Sequence, residues 1–157
     1  MIAISIVTII LLLGLYFATK DKSEVENHVD HEKPGYDLIT KHLPEIFSKD
    51  QEYSNATMPQ LKFLTEIGYN HSKQWTKESA SFALSSFKIV KYIFEDDFGV
   101  EATDAVAIDV ISRAFKSKTM AKQLYKLHEN EDDYEDLPAY EIFYEWMEKN
   151  IAPMYDI

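Results

Sequence analysis

The first nineteen residues, MIAISIVTIILLLGLYFAT, carry no charged side chain, and this uncharged run constrains the chain more than any other feature. A helix rises about 1.5 Å per residue, so the run would reach roughly 28 Å. The hydrocarbon core of a bilayer is about 30 Å thick. A helix also satisfies its own backbone hydrogen bonds in lipid. Residues 1–19 are therefore predicted to form a single transmembrane helix that anchors the protein in a cell membrane.

A cleaved export signal is the main alternative interpretation of this run. Such signals usually have Lys or Arg before the apolar stretch and a small-x-small cleavage site. This chain has neither, because no basic residue precedes the run and the bulky Tyr16 stands two residues before Ala18. A buried core helix explains the run less well, since no polar face interrupts it. Cleavage of residues 1–18 stays open as the alternative to a retained anchor.

The side of the membrane is indicated only by the residues that follow the run. Lys20 and Lys22 come directly after it, and the positive-inside rule then favours a cytoplasmic position for the rest of the chain. Acidic residues surround these two lysines, so a periplasmic or extracytoplasmic position stays open. Residues 20–35 are polar and end in Pro-Gly, which predicts a linker.

Residues 36–157 are predicted to form one all-α domain, a small bundle of five or six helices. Four glycines and five prolines are few for a turn-rich β protein. Pro44 predicts a kink or two short helices, because proline lacks the backbone donor that a helix interior needs. Thr57 and Gln60 have the spacing of a capping box, and Gly68 is a good helix stop. The apolar spacing predicts further helices over 74–97, 101–115, 117–128 and from Pro138 to Pro153. Ser117 is predicted to cap the helix that runs to His128.

The negative charge is concentrated in the second half of the chain. The net charge is −11. Residues 92–157 hold six basic and sixteen acidic residues, whereas residues 20–91 hold ten and eleven. An acidic surface repels phosphate backbones, so nucleic acid is not expected as a partner. A basic protein partner fits this charge better.

The last predicted helix and the acidic loop before it form the candidate partner-binding site. Tyr and Trp are favoured at protein interfaces, and acidic side chains around aromatic anchors would suit a basic partner. The candidate residues are Asp132, Asp133, Glu135, Asp136, Tyr140 and Tyr144.

No motif predicts catalysis. The chain has no glycine-rich phosphate loop, GxSxG or HExxH pattern and no cysteine. Ser85 and Lys88 match an S-x-x-K pattern without its companion motifs, and both are assigned to the polar stripe of the longest helix. His28 and His31, with neighbouring carboxylates, are residues of metal-ligand type in the predicted linker. No cofactor, metal or small-molecule substrate is predicted.

These observations favour a membrane-anchored, non-enzymatic helical protein that binds a protein partner at the membrane. An immunity-type protein that neutralises a basic toxin is one alternative, because small acidic proteins complement basic toxins. A metal-assisted hydrolase that uses His28 and His31 is the other. The sequence gives neither the identity of the partner nor the oligomeric state.

Overall fold

The computed structural model describes residues 24–25, 35–47, 54–70, 74–130 and 133–157. The described part of the chain is mostly helical and forms an all-α bundle as predicted. In the described ranges, no helix combines the length and the apolar character needed to cross a membrane. Residues 1–19, where the sequence predicts the anchor, lie outside those ranges.

Seven α-helices follow one another in the described part of the chain. Two of them, α1 and α2, are short and are separated before Pro44, which confirms the predicted break. The helices are α1 (Tyr36–Lys41), α2 (Pro44–Phe47), α3 (Met58–Ile67), α4 (Lys77–Tyr92), α5 (Asp104–Phe115), α6 (Lys118–His128) and α7 (Pro138–Asn150).

The capping predictions for α3 and α6 are confirmed. The Thr57 side chain accepts a hydrogen bond from the Gln60 N–H, and the Gln60 side chain accepts one from the Thr57 N–H. Gly68 ends α3 with φ of 114°, a backbone conformation that glycine adopts without the strain of a Cβ atom. Ser117 caps α6 by accepting from the Met120 N–H.

The longest helix, α4, lies at the centre of the bundle. It packs against α1, α3, α5 and α6, and α7 packs on α6. Phe82 of α4 is fully buried and its ring lies 5.6 Å from that of Phe47 and 5.5 Å from those of Phe115 and Tyr125. The broad apolar surface of α4 in the sequence is therefore explained by neighbours on several sides.

The α4 helix ends in a wider π-helical turn, Ile93–Asp97. There the Phe98 N–H donates to the Ile93 carbonyl at 3.0 Å, five residues back instead of four. Such turns accommodate one extra residue per turn and are frequent at functional sites. The sequence spacing did not predict this turn.

A pair of two-residue parallel strands is the only sheet among the described residues. Strand β1 (Glu24–Val25) lies in the predicted linker and pairs with β2 (Glu101–Ala102), which precedes α5. Two residues are too few to show the alternation that marks a strand in a sequence.

Candidate functional site

Two acidic segments that are far apart in sequence meet beside three tyrosines. The first segment is the π-helical turn at the end of α4. The second is a short 3-10 turn, Tyr134–Asp136, directly before α7. We call the resulting patch the tyrosine–acid surface; it consists of Tyr92, Asp96, Asp97, Tyr134, Glu135 and Tyr140.

The Tyr134 ring is in contact with the rings of both Tyr92 and Tyr140. The Tyr92 and Tyr134 ring centroids are 5.9 Å apart with the planes at 87°, an edge-to-face arrangement. The Tyr134 and Tyr140 centroids are 5.7 Å apart with the planes at 33°. All three residues are half-buried. Such aromatic pairs are favourable beyond the area they bury, and here they leave part of each ring at the surface.

Two of the three tyrosine hydroxyl groups form hydrogen bonds with carboxylates. The Tyr140 hydroxyl donates to Asp97 Oδ2, which joins α7 to the π-helical turn. The hydrogen bond with Glu135 raises the pKa of Tyr92, and Asp96 adds to this through its negative charge. Burial, followed by the hydrogen bond with Asp97, raises the pKa of Tyr140. The tyrosines therefore remain neutral hydrogen-bond donors beside the carboxylates.

The surface is acidic without basic residues to balance it. Among the described residues, no Lys or Arg forms an ion pair with Asp96, Asp97 or Glu135. Lys91, the basic residue next to Tyr92, is directed elsewhere: its ammonium lies 3.3 Å from Asp104 and also donates to the Ala102 carbonyl. The patch can therefore accept hydrogen bonds and positive charge from outside the domain.

Most of the predicted partner-binding residues lie in or next to this surface. Tyr140 and Glu135 belong to it, and Asp133 and Asp136 are exposed in the same short segment. Tyr144 is half-buried one turn further along α7, with its ring 5.5 Å from that of Phe98. Asp132 lies outside the described residues.

Sequence reasoning missed the contribution of α4. Tyr92, Asp96 and Asp97 were not among the predicted site residues, because they fall at the end of the helix predicted over 74–97. The acidic run 95–97 was visible as a signal. Nothing local in the sequence indicates that it meets residue 140, which lies 43 positions away from Asp97 in the chain.

The S-x-x-K pattern does not form a catalytic pair. Ser85 is 2% exposed, whereas Lys88 is exposed on another side of α4. The Ser85 hydroxyl has no hydrogen-bond partner within the described ranges. The prediction that Ser85 belongs to the polar stripe of this helix is therefore wrong, because several helices surround α4.

The residues of the metal-binding hypothesis lie outside the part of the chain that the structure describes. His28 and His31 lie between β1 and α1, outside the described ranges. Within those ranges, no group of three or more His, Cys, Asp or Glu side chains is arranged to hold a metal ion.

Comparisons with protein-family models, with curated proteins and with solved structures give no match to this chain. The function of the chain is therefore inferred from the geometry of the site itself.

Proposed function

We propose that this is a membrane-anchored, non-enzymatic protein whose helical domain binds a basic protein partner through the tyrosine–acid surface. The observation that carries the proposal is the meeting of two acidic segments around three partly exposed tyrosine rings. Neither segment forms such a patch alone. Tyr92 and Asp97 come from the end of α4 and its π-helical turn, while Tyr134 and Tyr140 come from the 3-10 turn and the first turn of α7.

The charge of the patch supports a partner that carries Lys or Arg. Asp96, Asp97 and Glu135 lie at the rim of the aromatic cluster, and Asp133 and Asp136 are exposed next to it. Clustered charges of one sign raise the encounter rate with a partner of the opposite sign and suppress partners of the same sign.

The tyrosines supply the binding energy that exposed charges alone do not. Exposed ion pairs contribute little to affinity individually, whereas tyrosine combines a rigid apolar ring with a polar tip and is enriched among residues that dominate binding energy. Arg in particular stacks on aromatic rings while it forms paired hydrogen bonds with a carboxylate. A partner segment that contains Arg would use both features of the surface.

The membrane part of the proposal depends on residues 1–19, which are uncharged and long enough to span a bilayer. A tether of this kind confines the domain to the membrane surface. Its partner would then be a membrane protein or a protein recruited to the membrane.

Photo-crosslinking in the native membrane tests the proposal. A photoreactive amino acid placed at Tyr134 of the full chain should capture a basic protein, and capture should fall as salt is raised, because salt screens exposed charges. The same probe at Glu78, which is exposed in the first turn of α4, is the matched position away from the surface.

Charge variants then test whether capture of the partner needs the tyrosine–acid surface or only the overall negative charge of the domain. The triple variant Asp96→Asn, Glu135→Gln, Asp136→Asn should reduce capture of the identified partner at least tenfold. The control variant Glu78→Gln, Glu101→Gln, Glu129→Gln removes the same number of exposed negative charges elsewhere and should leave capture unchanged. Equal loss of capture in both variants would contradict a specific surface, and capture that is insensitive to salt would contradict a basic partner.

A further inference from the structure

The start of the described chain is bound to the end of α4 through a pair of short strands. Strand β1, Glu24–Val25, runs parallel to β2, Glu101–Ala102, with Glu24 opposite Glu101. Neighbouring strands lie about 4.8 Å apart. The backbone of β1 is therefore held directly beside the segment that precedes α5.

Strand β2 in turn contacts the π-helical turn, which carries two acids of the tyrosine–acid surface. The Val100 N–H donates to the Phe94 carbonyl at 2.9 Å. The Lys91 ammonium, one residue before Tyr92, donates to the Ala102 carbonyl. The strand pair and the tyrosine–acid surface are therefore at the same end of α4.

The covalent length of the chain limits how far this end of α4 lies from a membrane anchor. A chain spans at most about 3.6 Å per residue, so the five residues from Thr19 to Glu24 reach at most about 18 Å. The four residues from Glu101 back to Asp97 add at most about 14 Å, and the strand spacing adds about 5 Å. The Asp97 Cα atom therefore lies within about 40 Å of the end of the predicted span.

Without the strand pair this limit would be much looser. The next described residue is Gly35, sixteen residues beyond Thr19, and a chain of that length reaches up to about 58 Å. Gly35 precedes α1, which packs against α4 and α5. Pairing of β1 with β2 therefore shortens the maximum length of the tether about threefold, and it attaches the tether at the end of α4 that carries the surface.

We propose that the partner is another membrane protein, and that the tyrosine–acid surface binds its basic juxtamembrane segment, the Lys- and Arg-containing residues next to its transmembrane helix. This proposal rests on the proposed function above. Lys and Arg are enriched within about 15–20 residues of membrane spans on the cytoplasmic side. The same rule favours that side for this domain, through Lys20 and Lys22. A segment of about twelve extended residues reaches roughly 40 Å, which is the limit for this surface.

Attachment of both proteins to one membrane supplies affinity that an exposed acidic patch lacks by itself. Exposed ion pairs are individually weak. Two tethered groups meet at a high effective concentration, which falls roughly as the −3/2 power of tether length once the tether spans the gap. A soluble basic protein gains none of this. Anionic head groups do not suit the surface, because they carry the same charge as Asp96, Asp97 and Glu135.

Capture of designed probes by the full chain in phosphatidylcholine vesicles tests the proposal. A photoreactive amino acid replaces Tyr134, and every probe carries the same basic segment, in which Arg alternates with Ser. In the short probe, a Gly/Ser spacer of about ten residues joins this segment to a single-span Leu/Ala helix, and in the long probe the spacer has about sixty residues. The third probe is the soluble segment alone. The short probe should be captured at least fivefold more than either of the others, because its effective concentration at the surface is highest.

Two matched insertions then test whether the strand pair sets the distance between the surface and the membrane. An insert of about twenty Gly/Ser residues between residues 20 and 21 lengthens the tether before β1, and it should lower capture of the short probe about threefold. The same insert between residues 30 and 31 lies after β1. It leaves the tether before β1 unchanged and should leave capture unchanged.

The strand pair itself is tested by disulfide formation, since the chain contains no cysteine. Val25→Cys with Ala102→Cys should form a disulfide in the full chain, and both insertion variants carry this pair so that β1 stays on β2. Val25→Cys with Glu78→Cys is the control, because Glu78 lies in the first turn of α4, at the other end of that helix. The control pair should form a disulfide at least tenfold less.

Three results would overturn the proposal. The first is a disulfide with Glu78→Cys as abundant as that with Ala102→Cys. The second is an equal effect of the two insertions on capture of the short probe. The third is capture of the soluble segment or the long probe that equals or exceeds capture of the short probe; a basic partner would then still bind the surface, but without a membrane tether of its own. Capture of none of the probes would contradict the proposed function as well.

Discussion

Replacing Tyr155 by Phe isolates one buried hydrogen bond that holds the end of the chain to α5. The Tyr155 hydroxyl donates to Asp109 Oδ2 at 2.9 Å, and the same oxygen accepts from Arg113 Nε at 2.7 Å. Asp109 is 3% exposed and Tyr155 is 5% exposed. The Tyr155 ring also lies 6.2 Å from that of Phe94, so the apolar packing remains when the hydroxyl is removed.

The magnitude follows from the charge and burial of the acceptor. A hydrogen bond to a charged group contributes about 1.5–3 kcal/mol. Asp109 keeps its contact with Arg113 in the variant, which limits the loss. We therefore expect Tyr155→Phe to lower the free energy of unfolding by about 2 kcal/mol, which corresponds to a fall in Tm of roughly 4–8 °C for a chain of this size.

Urea unfolding of the full chain in mild detergent measures the change. Tyr144→Phe is the matched control: Tyr144 forms no hydrogen bond with another described residue, so its loss should cost less than about 0.5 kcal/mol. A double-mutant cycle with Asp109→Asn should then show coupling between residues 109 and 155. A cost for Tyr155→Phe equal to that of Tyr144→Phe, or a cycle without coupling, would refute the reasoning.

Three further predictions concern a cap, alkaline pH and the anchor. Thr57→Ala should destabilise the domain by about 1 kcal/mol in urea unfolding, because the capping box of α3 is lost. Stability should decrease as pH rises above about 10, because the folded state raises the pKa of Tyr69, Tyr140 and Tyr155 and so holds these protons more tightly than the unfolded chain. Phenolate absorbance should show these tyrosines ionising only on unfolding. Ionisation of all ten tyrosines before unfolding would contradict this prediction. Alkaline carbonate should leave the full chain in the membrane fraction with residues 1–19 still attached, whereas release into buffer would contradict a retained anchor.

Local chemistry accounts for the parts of the fold that the sequence predicted well. The break before Pro44, the capping box at Thr57 and the stop at Gly68 each depend on residues within one helical turn. The same holds for Ser117 at the start of α6. In each case a backbone donor must be satisfied or a backbone angle must be allowed, and the residue type alone indicates how.

Features that depend on distant parts of the chain were not predictable. Ser85 was assigned to a polar face because serine is small and polar, but its burial depends on how many helices surround α4. The contact between Asp97 and Tyr140, and that between Asp109 and Tyr155, depend on packing between segments more than forty residues apart. For the candidate site, the sequence therefore predicted the residues near α7 but not those from α4.

The π-helical turn also determines how the site responds to a change in chain length. Successive helical residues differ by about 100° in direction, and the turn at Ile93–Asp97 contains one residue more than an α-helical turn would. Deleting a single codon here would let the helix continue in regular form. Because the turn absorbs that extra residue, Asp97 would keep its direction towards Tyr140, whereas a one-residue deletion in the regular part of α4 would rotate Asp97 by about 100° and separate the two halves of the surface.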